Sequence, residues 1–265
     1  MGFRNPKLFD CFMLLDELDM LECRLIELFN EVDRFVIVEC GETHQGTPKP
    51  SHYLDNKERF RPWAEKIEHI WVHDLGATDP MQRDREQREW FKVGMAAVAV
   101  EPWDIVLQSD LDEIPAALFI KSSLEHELWT VADRSNFLAF EQRLHCFAVD
   151  WEYPIKWKGT VAARYAHIKS FADMRDARAT APFLKNAGHH ISWLGGPEQA
   201  VRKLDAFAHT EIAYQRPNIA AGFNLERGIH VDGVKMAAVD VDDTWPQFVR
   251  SGRCPKNWFR PRAQR

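Results

Sequence analysis

The chain has no apolar stretch that approaches membrane-spanning length. After Arg4 and Lys7 its first apolar run is broken by Asp10, Asp16 and Glu17. Neither a spanning helix nor a secretory leader is therefore expected. Pro6 stands where an N-myristoylation signal wants Ser or Thr. Cysteine is scarce and lacks a pairing pattern: Cys11, Cys23, Cys40, Cys146 and Cys254 are widely spaced, with no C-x-x-C. That argues against a disulfide framework or a structural zinc site and fits a reduced, cytoplasmic setting. Basic excess is missing too. A formal net charge of −6 argues against a dedicated nucleic-acid binder, whose phosphate contacts need a positive surface; it leaves nucleotide binding open. Internal repeats, low-complexity tracts, a G-x-G-x-x-G and a P-loop are all absent, and Gly41 and Gly46 alone carry nothing.

What is present fits one large core in 265 residues. "DELDMLECRLIELFNEV" sets Leu18, Leu21, Leu25, Leu28, Phe29 and Val32 on one stripe and predicts an amphipathic helix. "DRFVIVEC", "KIEHIWVHDL" and "DIVLQS" read as buried strands, with "GETHQGTPKPSHYL" a loop and "DREQREWFKVGMAAVAVE" a second helix. This alternation predicts an α/β fold with a mixed, mainly parallel central sheet and helices on both faces. Later strands, "SNFLAFEQRLHCFAVDW", "KWKGTVAARYAHI" and "AGHHISWLG", have an antiparallel or mixed character; "GPEQAVRKLDAFAHTE" opens a helix near Pro197. We expect one domain over 1–265: a nucleotide-binding half (1–115), an acceptor-side half (116–230) and a tail of unclear pattern (231–265).

The segment "DIVLQSDLDEIP" drives an apolar strand straight into clustered carboxylates. In open α/β sheets ligands bind beyond the carboxyl ends of strands, where Asp110 and Asp112 fall. Two residues apart in extended chain, they point to one side. Paired carboxylates suit a hard divalent cation, which would also neutralise their repulsion. A solvated loop capping the next helix is the plainer alternative for a motif this short.

"DCFMLLDELDMLECRLIELFNEVDRFVIVECGETHQGTPKP", "REQRE", "DIVLQSDLDEIP", "AGHHISWLGG" and "KLDAFAHTE", in this order over roughly residues 8 to 212, resemble glycosyltransferase family 17. The resemblance implies a GT-A type fold, a UDP-sugar donor (UDP-GlcNAc first), a divalent metal, Mn²⁺ or Mg²⁺, and inversion at the anomeric carbon. It further implies a glycan or small-molecule hydroxyl acceptor. Where the family reads G-W-H-F-S the chain has Gly188-His189-His190-Ile191-Ser192, so His190 matches the family histidine and His189 replaces a tryptophan.

On this reading Asp112 holds the metal against the donor phosphates, and Asp110 supports it through water or holds the ribose. Glu113 lies behind them or caps the following helix. His209, then His190, is the candidate to complete the metal shell. Arg85, oriented by Glu86, could hold phosphate or sugar oxygens, against an exposed charged helix face. Glu39, Thr43 and Lys49 could line the nucleotide pocket, against an ordinary polar loop. Glu198, after the Gly-rich turn, is the candidate catalytic base, against a role at the helix N-terminus. Trp193 is the candidate acceptor platform. A metal-dependent phosphohydrolase is the rival class, although Ile114 occupies the Thr position of its D-x-D-x-T. A sugar-nucleotide-binding module without turnover is the third.

Overall fold

The computed structural model describes residues 5–131 and 135–261; the last residues of the tail, 262–265, lie outside the described residues. Its centre is a strand the sequence pattern hides. β1 (Leu8–Leu14) lies between β2 (Arg34–Cys40) and β4 (Ile105–Gln108), parallel to both, and β3 (Ile67–Val72) extends the parallel set beyond β2. β1 alternates Phe9 and Cys11 toward one face with Leu8, Phe12 and Leu14 toward the other, the period of two that a strand imposes. Asp10 falls on the Phe12 side and is fully buried.

Beyond β4 the sheet changes sense. β8 (Trp157–Arg164) pairs antiparallel with β4 and with β6 (Phe137–Cys146). β7 (Trp151–Glu152) and β11 (Ala237–Ala238) continue antiparallel to the edge. β9 (Phe183–Leu184) and β10 (Gly188–Ser192) join β6 in parallel, and β5 (Glu113–Pro115) pairs antiparallel with β10. The sheet is thus mixed: all parallel from β3 through β2 and β1 to β4, and of both senses beyond it. The expected parallel predominance is not found, because β6, β7 and β8 follow one another through short connections, which pair strands antiparallel, and β8 then pairs antiparallel with β4 as well.

Helices cover both faces. α1 (Leu18–Leu28) and α5 (Ala117–Val131) share the core of Phe12, Leu21, Leu25, Phe35, Leu107 and Leu124. Between them in sequence come α2 (His52–Asp55), α3 (Pro80–Glu89) and α4 (Phe91–Ala97). On the opposite face α4 and α6 (Phe171–Ala177) bury Phe91, Met95, Phe171 and Met174 against Phe9, Val36 and Val106. Burying one such side chain stabilises by roughly 1.5–3 kcal/mol. The second expected helix is two, broken at Trp90. Gly94 lets α4 lie against β2, since a Cβ there would meet Val36 at 2.3 Å.

α7 (Pro197–Leu204), α8 (Arg216–Ala220) and α9 (Phe223–Arg227) pack a third, smaller core around Trp193 and Leu204. The tail is structured: α10 (Gln247–Arg250) packs on α1, and Trp245, Phe248 and Trp258 enter the main core. No helix among the described residues is long and apolar enough to cross a membrane, and all five cysteines are buried and free.

Candidate functional site

The site begins with one buried guanidinium. α1 carries Arg24 on its buried face, where its Nε and Nη2 hold the Asp10 carboxylate at 2.8 and 2.6 Å. The same group donates to Ser109 Oγ at 2.6 Å and to the carbonyls of Asp110 (3.1 Å), Leu111 (3.2 Å) and Glu113 (2.9 Å). Arg24 therefore shapes the turn after β4 by gathering three of its carbonyls on one guanidinium, the Asp110 carbonyl also taking the Glu113 amide and the Glu113 carbonyl the Thr160 hydroxyl. Asp10 makes this possible by neutralising the buried charge.

In that turn Asp110 and Glu113 share Arg175, while Asp112 has partners of its own. Asp110 accepts from Arg88 of α3 at 2.8 Å and from Arg175 of α6 at 2.6 Å. Glu113, fully buried, accepts from both Nη atoms of Arg175 at 2.7 Å and from Trp157 Nε1 at 2.6 Å. Gly159 makes room for it, since a Cβ there would stand 2.9 Å from the Glu113 carboxyl carbon. Asp112 receives Lys203 of α7 at 2.6 Å on one oxygen and faces His190 Nε2 at 3.3 Å on the other. The protein's own cations thus offset the repulsion within the acid cluster. Asp110 and Asp112 sit in a turn instead of in extended chain and are held by separate sets of cations, although Asp112 still feels the Asp110 charge.

The electrostatics follow from these partners. Burial opposes ionisation of Asp110, but the Arg175 and Arg88 guanidiniums outweigh it and hold the carboxyl well below the usual carboxylate range. For Asp112 burial is likewise outweighed, by Lys203 and then His190, and its carboxyl is also depressed. Lys203 is raised, Asp112 and then Glu17 overcoming the cost of burying its charge. Asp110, Asp112 and Lys203 are therefore charged at neutral pH.

Asp112 and Lys203 stand in the wall of a cavity of about 360 Å³. The link from β1 to α1 supplies Asp16 and Glu17, the first turn of α1 supplies Asp19, the turn before α7 supplies Trp193 and Gly195, and α7 itself supplies Gln199 and Arg202. Arg59 and the tail residues Asn257 and Trp258 complete it. Trp193 holds φ 62°, a strained conformation for a bulky residue, and packs against Phe147 and Phe207.

The other expected site residues lie elsewhere. Glu39 is fully buried and takes bonds from Lys49, Ser51, His69 and the His52 and Tyr53 amides, while Thr43 Oγ1 accepts from the Thr47 amide. Glu39, Thr43 and Lys49 therefore brace the loop after β2 and do not line the cavity. Arg85 ties α3 to Asp173 and Asp176 of α6, and Glu86 accepts from the Gly76 and Ala77 amides. Arg88, one helical turn along, is the residue that reaches Asp110. His209 is more than half exposed and paired with Glu211. Glu198 is exposed, whereas Gln199, Arg202 and Lys203 of the same helix face the cavity. Glu113 is a strand residue and caps no helix.

For a metal, the donors that come together are Asp112 and His190. Their 3.3 Å separation suits neighbouring ligands of one ion, since two donors about 2.1 Å from a metal at right angles stand about 3 Å apart. The chemistry, one carboxylate and one imidazole, also fits a divalent cation, with its remaining positions left to phosphate and water. Among the described residues no set of three His, Cys, Asp or Glu forms a ready-made metal site.

The family model for glycosyltransferase family 17 matches residues 3–224. No curated protein matches the chain. Similar solved structures include 4-diphosphocytidyl-2C-methyl-D-erythritol synthase, at 12% identity and TM-score 0.44, covering 74% of this chain and 96% of that one. Mannose-6-phosphate isomerase from Helicobacter pylori is similar at 8% identity and TM-score 0.36, with coverages of 60% and 71%. Mannose-1-phosphate geranyltransferase from Thermus thermophilus is similar at 13% identity and TM-score 0.35, with coverages of 68% and 69%.

Proposed function

The chain belongs to glycosyltransferase family 17, and from that premise we propose that it transfers a sugar with inversion from a UDP-sugar to a hydroxyl acceptor. UDP-GlcNAc is first among the donors, and a glycan or a small molecule is the acceptor. The observation that carries the reading is Asp112, with Lys203 and His190 on its two oxygens, in the wall of a cavity beyond the end of β4. That position, where an α/β sheet opens between β1 and β4, is also what supports a GT-A type arrangement.

Each wall of the cavity has a task. Lys203, Arg202 and Arg59 bring positive charge to the place where a diphosphate leaving group gathers negative charge. Trp193 and Trp258 offer aromatic surface to the apolar C–H faces of a sugar. Asp112 and His190 would hold a divalent cation, Mn²⁺ or Mg²⁺, which when bound acts as a Lewis acid on the diphosphate. Arg24, Arg88 and Arg175 fix the turn that carries Asp112, so the carboxylate is placed before the donor arrives.

Incubation with UDP-GlcNAc, Mn²⁺ and mixed glycan acceptors tests the reading. Release of UDP that disappears in Asp112→Asn is the expected result. Release of phosphate from simple phosphomonoesters without UDP release would replace transfer with hydrolysis.

A further inference from the structure

Four carboxylates line the cavity, and three of them are already held by side chains. Asp19 takes a hydrogen bond from Arg59 at 2.5 Å. Asp112 takes one from Lys203 at 2.6 Å. Asp16 accepts from Gln199 Nε2 at 2.8 Å, with Arg202 Nε 3.6 Å from its other oxygen. Glu17 differs. Its Oε2 receives only a long bond, 3.3 Å, from the Asp16 amide, and its Oε1 stands 3.6 Å from the Lys203 ammonium, beyond hydrogen-bond reach.

Glu17 follows β1 and immediately precedes α1, at φ −82°, ψ 66°. It is therefore fixed by backbone at the cavity wall, with its side chain about one-fifth exposed. The Lys203 ammonium lies between the Glu17 and Asp112 carboxylates, so the two acids share one cavity without sharing a hydrogen bond. A base must have an oxygen free to accept a proton, and it must lie across the reacting carbon from the leaving group. Among the four acids Glu17 alone takes no side-chain hydrogen bond.

We propose that Glu17 is the general base of the transfer reaction, taking the proton of the acceptor hydroxyl; this rests on the transferase reading above. The acceptor O–H bond breaks, its proton goes to Glu17 Oε1, and the oxygen's electron pair forms the bond to the anomeric carbon. The bond from that carbon to the diphosphate oxygen breaks, and UDP leaves with the electron pair. Burial supports this role by raising the Glu17 carboxyl above its ordinary value. Lys203 opposes that rise, and Asp16 and Asp112 add to it. The charged groups facing Glu17 across the cavity are Lys203 and Arg202 of α7, Asp112 of the turn, Arg59, and Asp16 and Asp19 of its own segment.

The test compares wild type, Glu17→Gln and Glu17→Asp across a panel of UDP-sugars with mixed hydroxyl acceptors. UDP affinity is measured by titration and kcat/KM followed with pH. Glu17→Gln is expected to bind UDP within about threefold of wild type while kcat falls roughly 10²–10⁴-fold, the usual share of a general base. The acid limb of the wild-type profile should vanish in Glu17→Gln and survive, at reduced rate, in Glu17→Asp. A Glu17→Gln enzyme with wild-type turnover, with its acid limb intact, or with UDP affinity lost in step with kcat overturns the assignment and leaves the transferase standing. A wild-type protein that releases UDP from no UDP-sugar removes the transferase and the base together.

Discussion

Arg24→Met should cost about 3–5 kcal/mol of folding stability, the range for leaving a buried charge without its partner. Asp10 is fully buried and both of its oxygens are bonded to Arg24, so removal of the guanidinium strands a carboxylate in the core. The carbonyls of Asp110, Leu111 and Glu113 each lose the Arg24 hydrogen bond in the same step. Against a typical total of about 5–15 kcal/mol the loss is severe, and it corresponds to a fall in Tm on the order of 10 °C at about 2–4 °C per kcal/mol. Urea unfolding of the single variant and of Asp10→Leu/Arg24→Met separates two effects. The double variant removes the stranded charge, so it should recover about 2 kcal/mol or more. It restores no donor to the turn, so UDP release should stay low. A loss below about 1 kcal/mol in the single variant, or wild-type turnover in the double, would refute the claim that Arg24 shapes the turn carrying Asp112.

Glu39→Gln should destabilise without touching the cavity. Although burial alone would raise the Glu39 carboxyl, His69, Lys49 and Ser51 bring it down to about 2. Its stabilisation, about 3 kcal/mol at 1.36 kcal/mol per unit, is present above its unfolded value near 4.5 and lost as pH falls toward 2; denaturant melts at about pH 7 and about pH 3 check it. The buried pair His145 and His189, joined at 3.2 Å and packed against Trp245, should make the fold sensitive to mild acid. Burial, then Arg143, holds His189 down at about 4, so its contribution is full above pH 6.5 and fades as pH falls toward 4. His189→Phe should flatten part of that Tm slope; an unchanged slope would contradict it. Glu198→Gln should retain turnover within about twofold, since its side chain is exposed and outside the cavity; a large loss would return the base to α7.

Local pattern announced much of the fold. The α1 stripe and the apolar runs of β2 and β4 read directly from spacing, because burial on a helix face or in a sheet imposes a period. β1 did not, because Asp10 interrupts its apolar run and the compensating Arg24 sits 14 positions on, in a helix. β5 was hidden for a similar reason: its first residue, Glu113, is an acid made burial-compatible mainly by Arg175 and Trp157 from distant segments, besides the nearby Asp110 amide. The aspartates were visible as a cluster, but their partners were not. Composition located a charged helix in "DREQRE" without fixing its rotation, and one turn separates Arg85, which clamps α6, from Arg88, which reaches Asp110. The same ambiguity put Glu198 forward where Lys203 faces the site. Side-chain register on a helix is settled by what packs against it.

Calorimetric titration of UDP in the presence of Mn²⁺, on wild type and Asp112→Asn, tests most directly whether this cavity takes a sugar nucleotide. The account predicts saturable binding by wild type and a loss of roughly 10–100-fold in affinity for the variant. Equal binding by the two proteins, or none by wild type, would contradict it.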